Sequence, residues 1–335
     1  MHILVTGSSG FIGRSLCAKL KKLDQRVSCL LRRKDFCPRD FDTSGFLTKF
    51  IDTLDENTDF TDSLSNIDIV IHLAGKASDS KIVKPASIIL GKVNFKGTEN
   101  LAKQAAMRGV KRFVFISSIN VNGKSTCEKR TLTEKSPVEP YDDYTVSKYK
   151  AESALRDIEK KTGMEVVILR PPLVYGPGVK GNFLKLLNWV HARLPLPFSG
   201  IKNKRSFIYI ENLIEALILC AMHENAGGQT FLVSDDQILS TPRLLSKISL
   251  AMNFRPRLFF FPISVMRRVL TLMGKKGIYE RLCLNSVVDS TKIRQILGWQ
   301  PKVSTDDGIY NTVQWYLEKK ALDKHRKSEF HSGAK

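Results

Sequence analysis

Several kinds of residue pattern are missing from this chain. The six cysteines among 335 residues, at positions 17, 29, 37, 127, 220 and 283, form no C-x-x-C pair and keep no regular spacing. Neither a zinc site nor a disulfide framework is therefore expected, and no metal is assigned. No basic region, apolar core and cleavage site precede the first strand, which runs directly from Met1, so no signal peptide is expected. No apolar run is long enough to cross a bilayer: the best stretch, Leu258 to Met273, is interrupted by Pro262 and by Arg267-Arg268. A cytoplasmic location follows as the expectation. Acidic residues are the scarce charge, 33 against 53 lysines and arginines, and the net charge of +20 favours an anionic partner.

The basic residues are spread along the chain, as in Lys19 to Lys22, Arg32-Arg33-Lys34 and Lys202 to Arg205. No aromatic-interleaved platform accompanies them, so a specific nucleic-acid partner is not expected and a solvated basic surface is the leading reading. Phe259-Phe260-Phe261, beside Arg255, Arg257, Arg267 and Arg268, suits weak contact with an acidic inner-membrane surface. An internal lid or a subunit contact is the preferred reading of the same residues.

What is present is an alternation. Short β-rich runs, His2 to Thr6, Val27 to Leu31, Ile69 to Leu73, Phe113 to Ser117 and Val166 to Leu169, are separated by helix-like stretches at Ile12 to Leu23, Val93 to Met107 and Tyr144 to Lys161. Strands alternating with helices predict an α/β fold, a doubly wound parallel sheet covered on both faces. After Arg170 the texture changes: Pro171-Pro172 and Gly176-Pro177-Gly178 mark a loop leaving the sheet. The expected division is a cofactor domain over 1–170, with segments near 205–235 returning to its sheet. A smaller, mainly helical C-terminal substrate-binding lobe is expected from 171–204 and 236–318, and a basic flexible tail from 319–335. Phe207 to Ile210 and Thr230 to Val233 are the candidate returning strands.

Thr6-Gly7-Ser8-Ser9-Gly10-Phe11-Ile12-Gly13 follows the first strand and opens a helix. Glycines there permit a tight turn and let backbone amides approach a pyrophosphate at the helix N-terminus, although the spacing is G-x-x-G-x-x-G. The second strand ends in Leu31-Arg32-Arg33 where a carboxylate would favour NAD. Two guanidiniums suit a 2′-phosphate, so NADP(H) is the preferred cofactor and NAD(H) the alternative. Asp52 is suited to accept from an adenine amino group; a solvated loop aspartate is the other reading. Tyr144 and Lys148 stand one helical turn apart. An ammonium on that face favours the phenolate, which makes Tyr144 a candidate acid/base.

In this order the segments resemble the extended short-chain dehydrogenase/reductase family, in its sugar-nucleotide epimerase, dehydratase and ketoreductase branch. The marks are the glycine loop, Asp68 to Gly75, Asn94 with Gly97-Thr98, Ser117-Ser118, Tyr144 with Lys148, and Arg170-Pro171-Pro172 through Pro177. The resemblance implies a Rossmann-type fold reaching to about Leu317 and, by family analogy, a homodimer. It implies that Ser118 donates to the substrate oxygen, that Tyr144 moves the proton, and that Lys148 holds the nicotinamide ribose. The implied cofactor contacts are Gly7, Ser9, Gly10, Phe11, Ile12, Gly13, Arg32, Arg33, Asp52, Thr53 and Leu54, then Leu73, Ala74, Lys76, Asn94, Tyr144, Lys148 and Pro171. Asn182, Arg205 and Arg281 are the implied contacts to the nucleotide diphosphate of a UDP-sugar. His72 is read as structural.

The same resemblance frames the reaction. A 4-epimerase and a 4-ketoreductase use the same catalytic groups, so only the cofactor end separates them. Arg32 and Arg33 tilt the expectation toward NADPH-dependent reduction of a UDP-4-keto-6-deoxy-N-acetylhexosamine for surface polysaccharide. The run from Ser117 to Gly123 points the same way, though Asn120 stands where that subfamily often carries lysine. UDP-glucose or UDP-N-acetylglucosamine 4-epimerase with bound NAD is the alternative. Dehydration is disfavoured because Ile119 and Asn120 occupy the places beside Ser118 where a carboxylate pair would stand.

Overall fold

A computed structural model describes residues 1–33, 42–76, 86–126 and 131–332. The described elements run β1 (His2–Thr6), α1 (Phe11–Lys22), β2 (Arg26–Arg32), β3 (Leu47–Ile51), β4 (Ile69–His72), α2 (Ala86–Leu90), α3 (Thr98–Met107), β5 (Arg112–Ile116), α4 (Asp143–Thr162), β6 (Glu165–Arg170) and β7 (Leu173–Tyr175). They continue with α5 (Gly181–His191), β8 (Phe207–Tyr209), α6 (Ile210–Met222), β9 (Thr230–Leu232), α7 (Thr241–Ala251), α8 (Ile263–Leu272), α9 (Lys276–Cys283), α10 (Thr291–Leu297) and α11 (Thr305–Ser332). A π-helical turn, Gly91–Gly97, joins α2 to α3.

The main sheet has seven parallel strands in the order β3-β2-β1-β4-β5-β6-β9. Strands buried on both faces read as unbroken apolar runs, and β1, β4 and β5 are buried along their whole lengths. The order reverses between β1 and β4, so their carboxyl ends open a crevice at the switch point. Helices cover both faces: Leu16 and Leu20 of α1 join one core, and Ala151, Leu155 and Ile158 of α4 join the other.

Two expectations need correction. Thr230–Leu232 rejoins the main sheet, but Phe207–Tyr209 pairs with Leu173–Tyr175 in a separate two-stranded sheet. Pro171 and Pro172 offer no N–H to the main ladder, so the chain leaves β6 at Arg170 and forms the small sheet instead. Asp235 anchors it, accepting from Tyr175 Oη at 3.0 Å, from Tyr209 N at 2.9 Å and from Asn212 Nδ2 at 2.8 Å. The tail expected to fray from residue 319 instead continues α11 to Ser332, its first residues, Lys319-Lys320-Ala321-Leu322, all being good helix formers. The chain around Arg257 and Phe259 is tied to the 194–199 loop: Leu196 N donates to Arg257 O at 2.9 Å and Phe259 N to Leu196 O at 3.0 Å. Among the described residues no helix is long and apolar enough to cross a membrane.

Candidate active site

The glycine loop is shaped by contacts that exclude side chains. Gly7 turns with φ +67°, and a Cβ there would lie 2.8 Å from Ala74 N. At Gly13 a Cβ would meet Gly7 O at 2.1 Å and Ser8 Cα at 2.7 Å. These contacts press the start of α1 against the ends of β1 and β4. Gly10 caps that helix without a side-chain hydrogen bond, leaving first-turn amides directed into the crevice. A dinucleotide pyrophosphate fits this cradle on the amide donors alone. Ser9, Phe11 and Ile12 are half-buried around it, as are Leu73, Ala74 and Lys76.

At the far end of the crevice, Arg33 N donates to Ile51 O at 2.9 Å and prolongs the pairing of β2 with β3. Its Nε then stands 3.6 Å from Asp52 Oδ1, with both side chains exposed. Arg32, Arg33, Asp52 and Thr53 thus form one exposed rim. Leu54 is buried instead; its carbonyl packs where a Cβ at Gly97 would stand, at 2.8 Å.

His72 is completely buried. It bonds Thr6 Oγ1 at 2.7 Å and Thr98 Oγ1 at 2.9 Å, and burial, aided by the Lys148 charge, drives its pKa down to about 3. It is a neutral clamp between β1, β4 and α3, and Thr6 Oγ1 accepts from Ala74 N at 3.1 Å. Asn94 is similarly engaged inside the protein. Its Oδ1 accepts from Lys76 N at 2.8 Å, and its Nδ2 donates to Lys76 O at 3.0 Å and Ser147 Oγ at 3.1 Å. Both amide hydrogens are therefore committed. Asn94 fixes the loop after β4 to α4, a structural role beside the cofactor contact implied for it.

Helix α4 sets the register of Tyr144 and Lys148. Asp142 caps it through a reciprocal box: Thr145 N donates to Asp142 Oδ1 at 2.8 Å and Asp142 N to Thr145 Oγ1 at 3.1 Å. Ser147, Lys148, Ala151, Glu152 and Leu155 are buried along its inner stripe. Lys148 Nζ donates to Ile116 O at 3.0 Å, lies 4.6 Å over the Phe115 ring, and would stand 3.4 Å from a Cβ at Gly75. Burial lowers its pKa to about 8 against an opposing pull from Glu152. Glu152 in turn accepts from Arg170 through both carboxylate oxygens, and Arg170 Nη1 donates to Asn122 Oδ1 at 3.0 Å. Sequence reasoning passed over Glu152, although its place four residues after Lys148 is a readable signal.

Ser118 is the second residue past the end of β5. Its Oγ accepts from Asn120 N at 3.2 Å, which leaves its own hydroxyl hydrogen available to a ligand. The neighbouring Ser117 Oγ is buried with no protein partner. Pro171 is buried next to this turn and accepts from Ile119 N at 3.0 Å. One expectation is not met here. The Tyr144 phenol is pushed up to about 12 by burial first and then by the charges of Asp142 and Tyr141; Lys148 is not among the causes. Its ammonium faces the Ile116 carbonyl, so the i, i+4 spacing alone does not lower the phenol.

Toward the smaller lobe, Arg205 Nη1 donates to Leu284 O at 3.2 Å, and burial lowers its pKa. Arg205 and Arg281 both act electrostatically on Tyr141, which burial pushes up to about 12. Both therefore lie near Tyr141, just before α4. Arg281 is exposed near the end of α9, and Asn182 is exposed in the first turn of α5.

Known proteins share this architecture. The profile of the NAD dependent epimerase/dehydratase family matches residues 3–234. A UDP-glucose 4-epimerase of Vibrio cholerae is 39% identical over 323 residues, covering 94% of this chain and 95% of the relative. Among solved structures, a UDP-glucose 4-epimerase with UDP-glucose from Thermotoga maritima superposes with a TM-score of 0.75 at 23% identity, covering 95% of this chain and 99% of that one. A UDP-glucuronic acid 4-epimerase from Bacillus cereus in complex with NAD gives 0.76 at 23% identity, with 95% and 99% covered. At that identity the two structures speak for the fold.

Proposed function

This chain belongs to the NAD dependent epimerase/dehydratase family, and we propose that it catalyses oxidoreduction at C4 of a UDP-linked sugar, in the first instance 4-epimerisation. The carrying observation is Lys148 on α4, bonded to the carbonyl of Ile116 at the carboxyl end of β5 and close to Gly75, with Ser118 two residues past that strand and Tyr144 one turn earlier on the same helix. Support for the epimerase reading comes from the relative of Vibrio cholerae named for that activity on UDP-glucose.

When bound, the nicotinamide supplies the hydride acceptor and, while oxidised, a positive charge. Tyr144, as phenolate, takes the proton from the sugar O4 while the C4–H bond breaks. Ser118 donates to the same oxygen and holds it in register. Lys148 keeps a buried ammonium against the carbonyl of Ile116 on the inner face of α4, where it would hold the nicotinamide ribose. After the 4-keto sugar turns over, the hydride would return to the opposite face of C4 while Tyr144 gives the proton back to O4. Arg205 and Arg281, with Asn182, are assigned to the diphosphate, for which a guanidinium fork is well matched.

A second reading has its own observation. Arg32 and Arg33 form an exposed basic rim where an adenosine 2′-phosphate would sit, which favours exchangeable NADPH and net reduction of a UDP-4-keto-6-deoxy-N-acetylhexosamine. The purified protein separates the two. Co-purified nicotinamide with interconversion of UDP-glucose and UDP-galactose is the expected result. NADPH oxidation with the 4-keto sugar, and no interconversion, would move the assignment to the reductase. On either reading we assign residues 1–170 to the cofactor half, 171–204 and 236–318 to the substrate lobe, and a homodimer as the assembly, which sedimentation measures.

A further inference from the structure

From Gln237 to Tyr279 the chain holds eight lysines and arginines and no aspartate or glutamate. The middle of this acid-free stretch carries the most exposed apolar surface described here. Phe260 is 71% and Leu272 89% exposed, and Phe259, Val265, Val269 and Met273 are exposed with them. On α8 the residues divide by face. Met266 is buried, Ile263 and Leu270 pack against the core, and Met266 Sδ lies 3.9 Å from Cys283 Sγ. Val265, Val269 and Leu272, at i, i+4 and i+7, form a second apolar stripe that faces outward. Arg267 and Arg268 are exposed on the same helix, with Lys275 and Lys276 just beyond it.

The platform is held in place. Ser199 N donates to Phe259 O at 3.2 Å, in addition to the Leu196 bonds, and the Phe260 ring lies where a Cβ at Gly200 would stand, at 2.9 Å. A cavity of about 480 Å³ adjoins the platform, lined by Leu194, Phe254 and Leu258 together with Arg193, Arg255 and Arg257. Apolar walls with guanidiniums suit a phosphate-bearing amphiphile.

We propose that α8 and the preceding 255–262 segment seat this protein on an anionic lipid bilayer, with Phe260, Leu272 and the outer stripe entering the acyl boundary while Arg255, Arg257, Arg267 and Arg268 meet the headgroups. The charge selects this occupant. In an isologous contact between two copies the exposed Arg255, Arg257, Arg267 and Arg268 would face their own copies and set like charges together. A bilayer of acidic lipids offers an apolar interior and an anionic rim, matching both parts of the surface. The platform also lies beside the candidate site. Helices α8 and α9 pack together, and Glu280 of α9 pairs with Lys124 at 3.4 Å. Seating would hold the substrate entrance near the membrane face.

The full-length protein is tested by co-sedimentation with phosphatidylcholine vesicles and with mixed phosphatidylcholine/phosphatidylglycerol vesicles. Partition should be detectable on the mixed vesicles at low salt, weaken with added salt, and be absent on phosphatidylcholine alone. Replacing both Arg267 and Arg268 by Ala should lower partition about thirtyfold, taking the usual worth of a basic side chain at an anionic surface. The double variant Phe260→Asp/Leu272→Asp should abolish partition while keeping the melting temperature and the turnover of soluble substrate. No binding to the anionic vesicles would overturn the proposal, as would equal binding to neutral vesicles or unchanged binding of the Asp variant. A lipid-free shift from dimer to monomer in the Asp variant would overturn it too, by naming a second copy as the occupant.

Discussion

Gly13 and Leu272 mark two opposite kinds of region in this molecule. At Gly13 a single added carbon would stand 2.1 Å from a carbonyl oxygen, whereas Leu272 holds a whole isobutyl group 89% exposed. The cofactor end is specified by space and by buried polar groups such as His72 and Asn94, whose partners lie inside the chain. The outer edge of the substrate lobe is specified by charge and exposed area, with backbone contacts that only fix its position. Function at the first region therefore depends on atoms placed within tenths of an ångström. At the second it depends on the sum over many side chains, and no single one is required for folding.

That contrast is broken most severely at Tyr144. Tyr144→Phe removes the proton carrier and should lower turnover about 10²- to 10⁴-fold, with cofactor binding and melting temperature retained. Steady-state kinetics beside a cofactor titration reads both; near-normal turnover would show that the proton moves elsewhere. Gly13→Ala acts on the same region through space alone. It should destabilise the protein by about 3 kcal/mol and weaken nicotinamide binding, read by thermal unfolding with and without cofactor.

Lys148 sharpens the contrast because its charge costs stability where its function needs it. Burial sets its folded pKa near 8, below the 10.5 of an exposed lysine. Below pH 8 the ammonium is held buried in the folded state, and the unfolded state binds the proton more readily between those values. Stability contributed by this group therefore rises as pH climbs from about 8 toward 10.5, and its cost below pH 8 is on the order of 3 kcal/mol. Lys148→Met should accordingly raise the melting temperature at pH 7 while suppressing turnover, and wild-type turnover should decline above about pH 8. A Met variant that is both slower and less stable would contradict this account.

Smaller effects are expected at the exposed ends. Replacing Arg32 and Arg33 with Ser should weaken NADPH by roughly tenfold while leaving NAD nearly unchanged, since each fork contributes a charge-assisted contact only to a 2′-phosphate. An unchanged NADPH/NAD ratio would place the discrimination elsewhere. Leu272→Asp alone should change unfolding free energy by less than about 0.5 kcal/mol, as exposed substitutions do.

The two regions also differ in how readily the sequence reveals them. Where backbone conformation or packing compels a residue type, position carries the signal: Gly7, Gly13 and the alternation that holds β1, β2, β4, β5 and β6 could be read directly. Tertiary competition could not. Nothing local showed that Lys148 would face the Ile116 carbonyl and leave the Tyr144 phenol raised, or that β8 would pair with β7 outside the main sheet. Asn94 was legible as a site residue, yet its commitment to Lys76 and Ser147 depends on residues brought together by the fold. At 251–279 the residues show only a composition, rich in aromatics and arginines. Which of those side chains turn inward depends on contacts with Leu196 and Gly200, which lie apart from them in sequence, and on Met266 taking the buried face of α8.

The central claim is that Tyr144 moves the O4 proton while a hydride leaves and returns at C4. It is tested most directly by NMR of UDP-glucose carrying deuterium at C4, incubated with the wild-type protein and with Tyr144→Phe. The account predicts formation of UDP-galactose with the deuterium retained at C4, and no conversion by the variant. Loss of the label to solvent, or equal conversion by Tyr144→Phe, would contradict it.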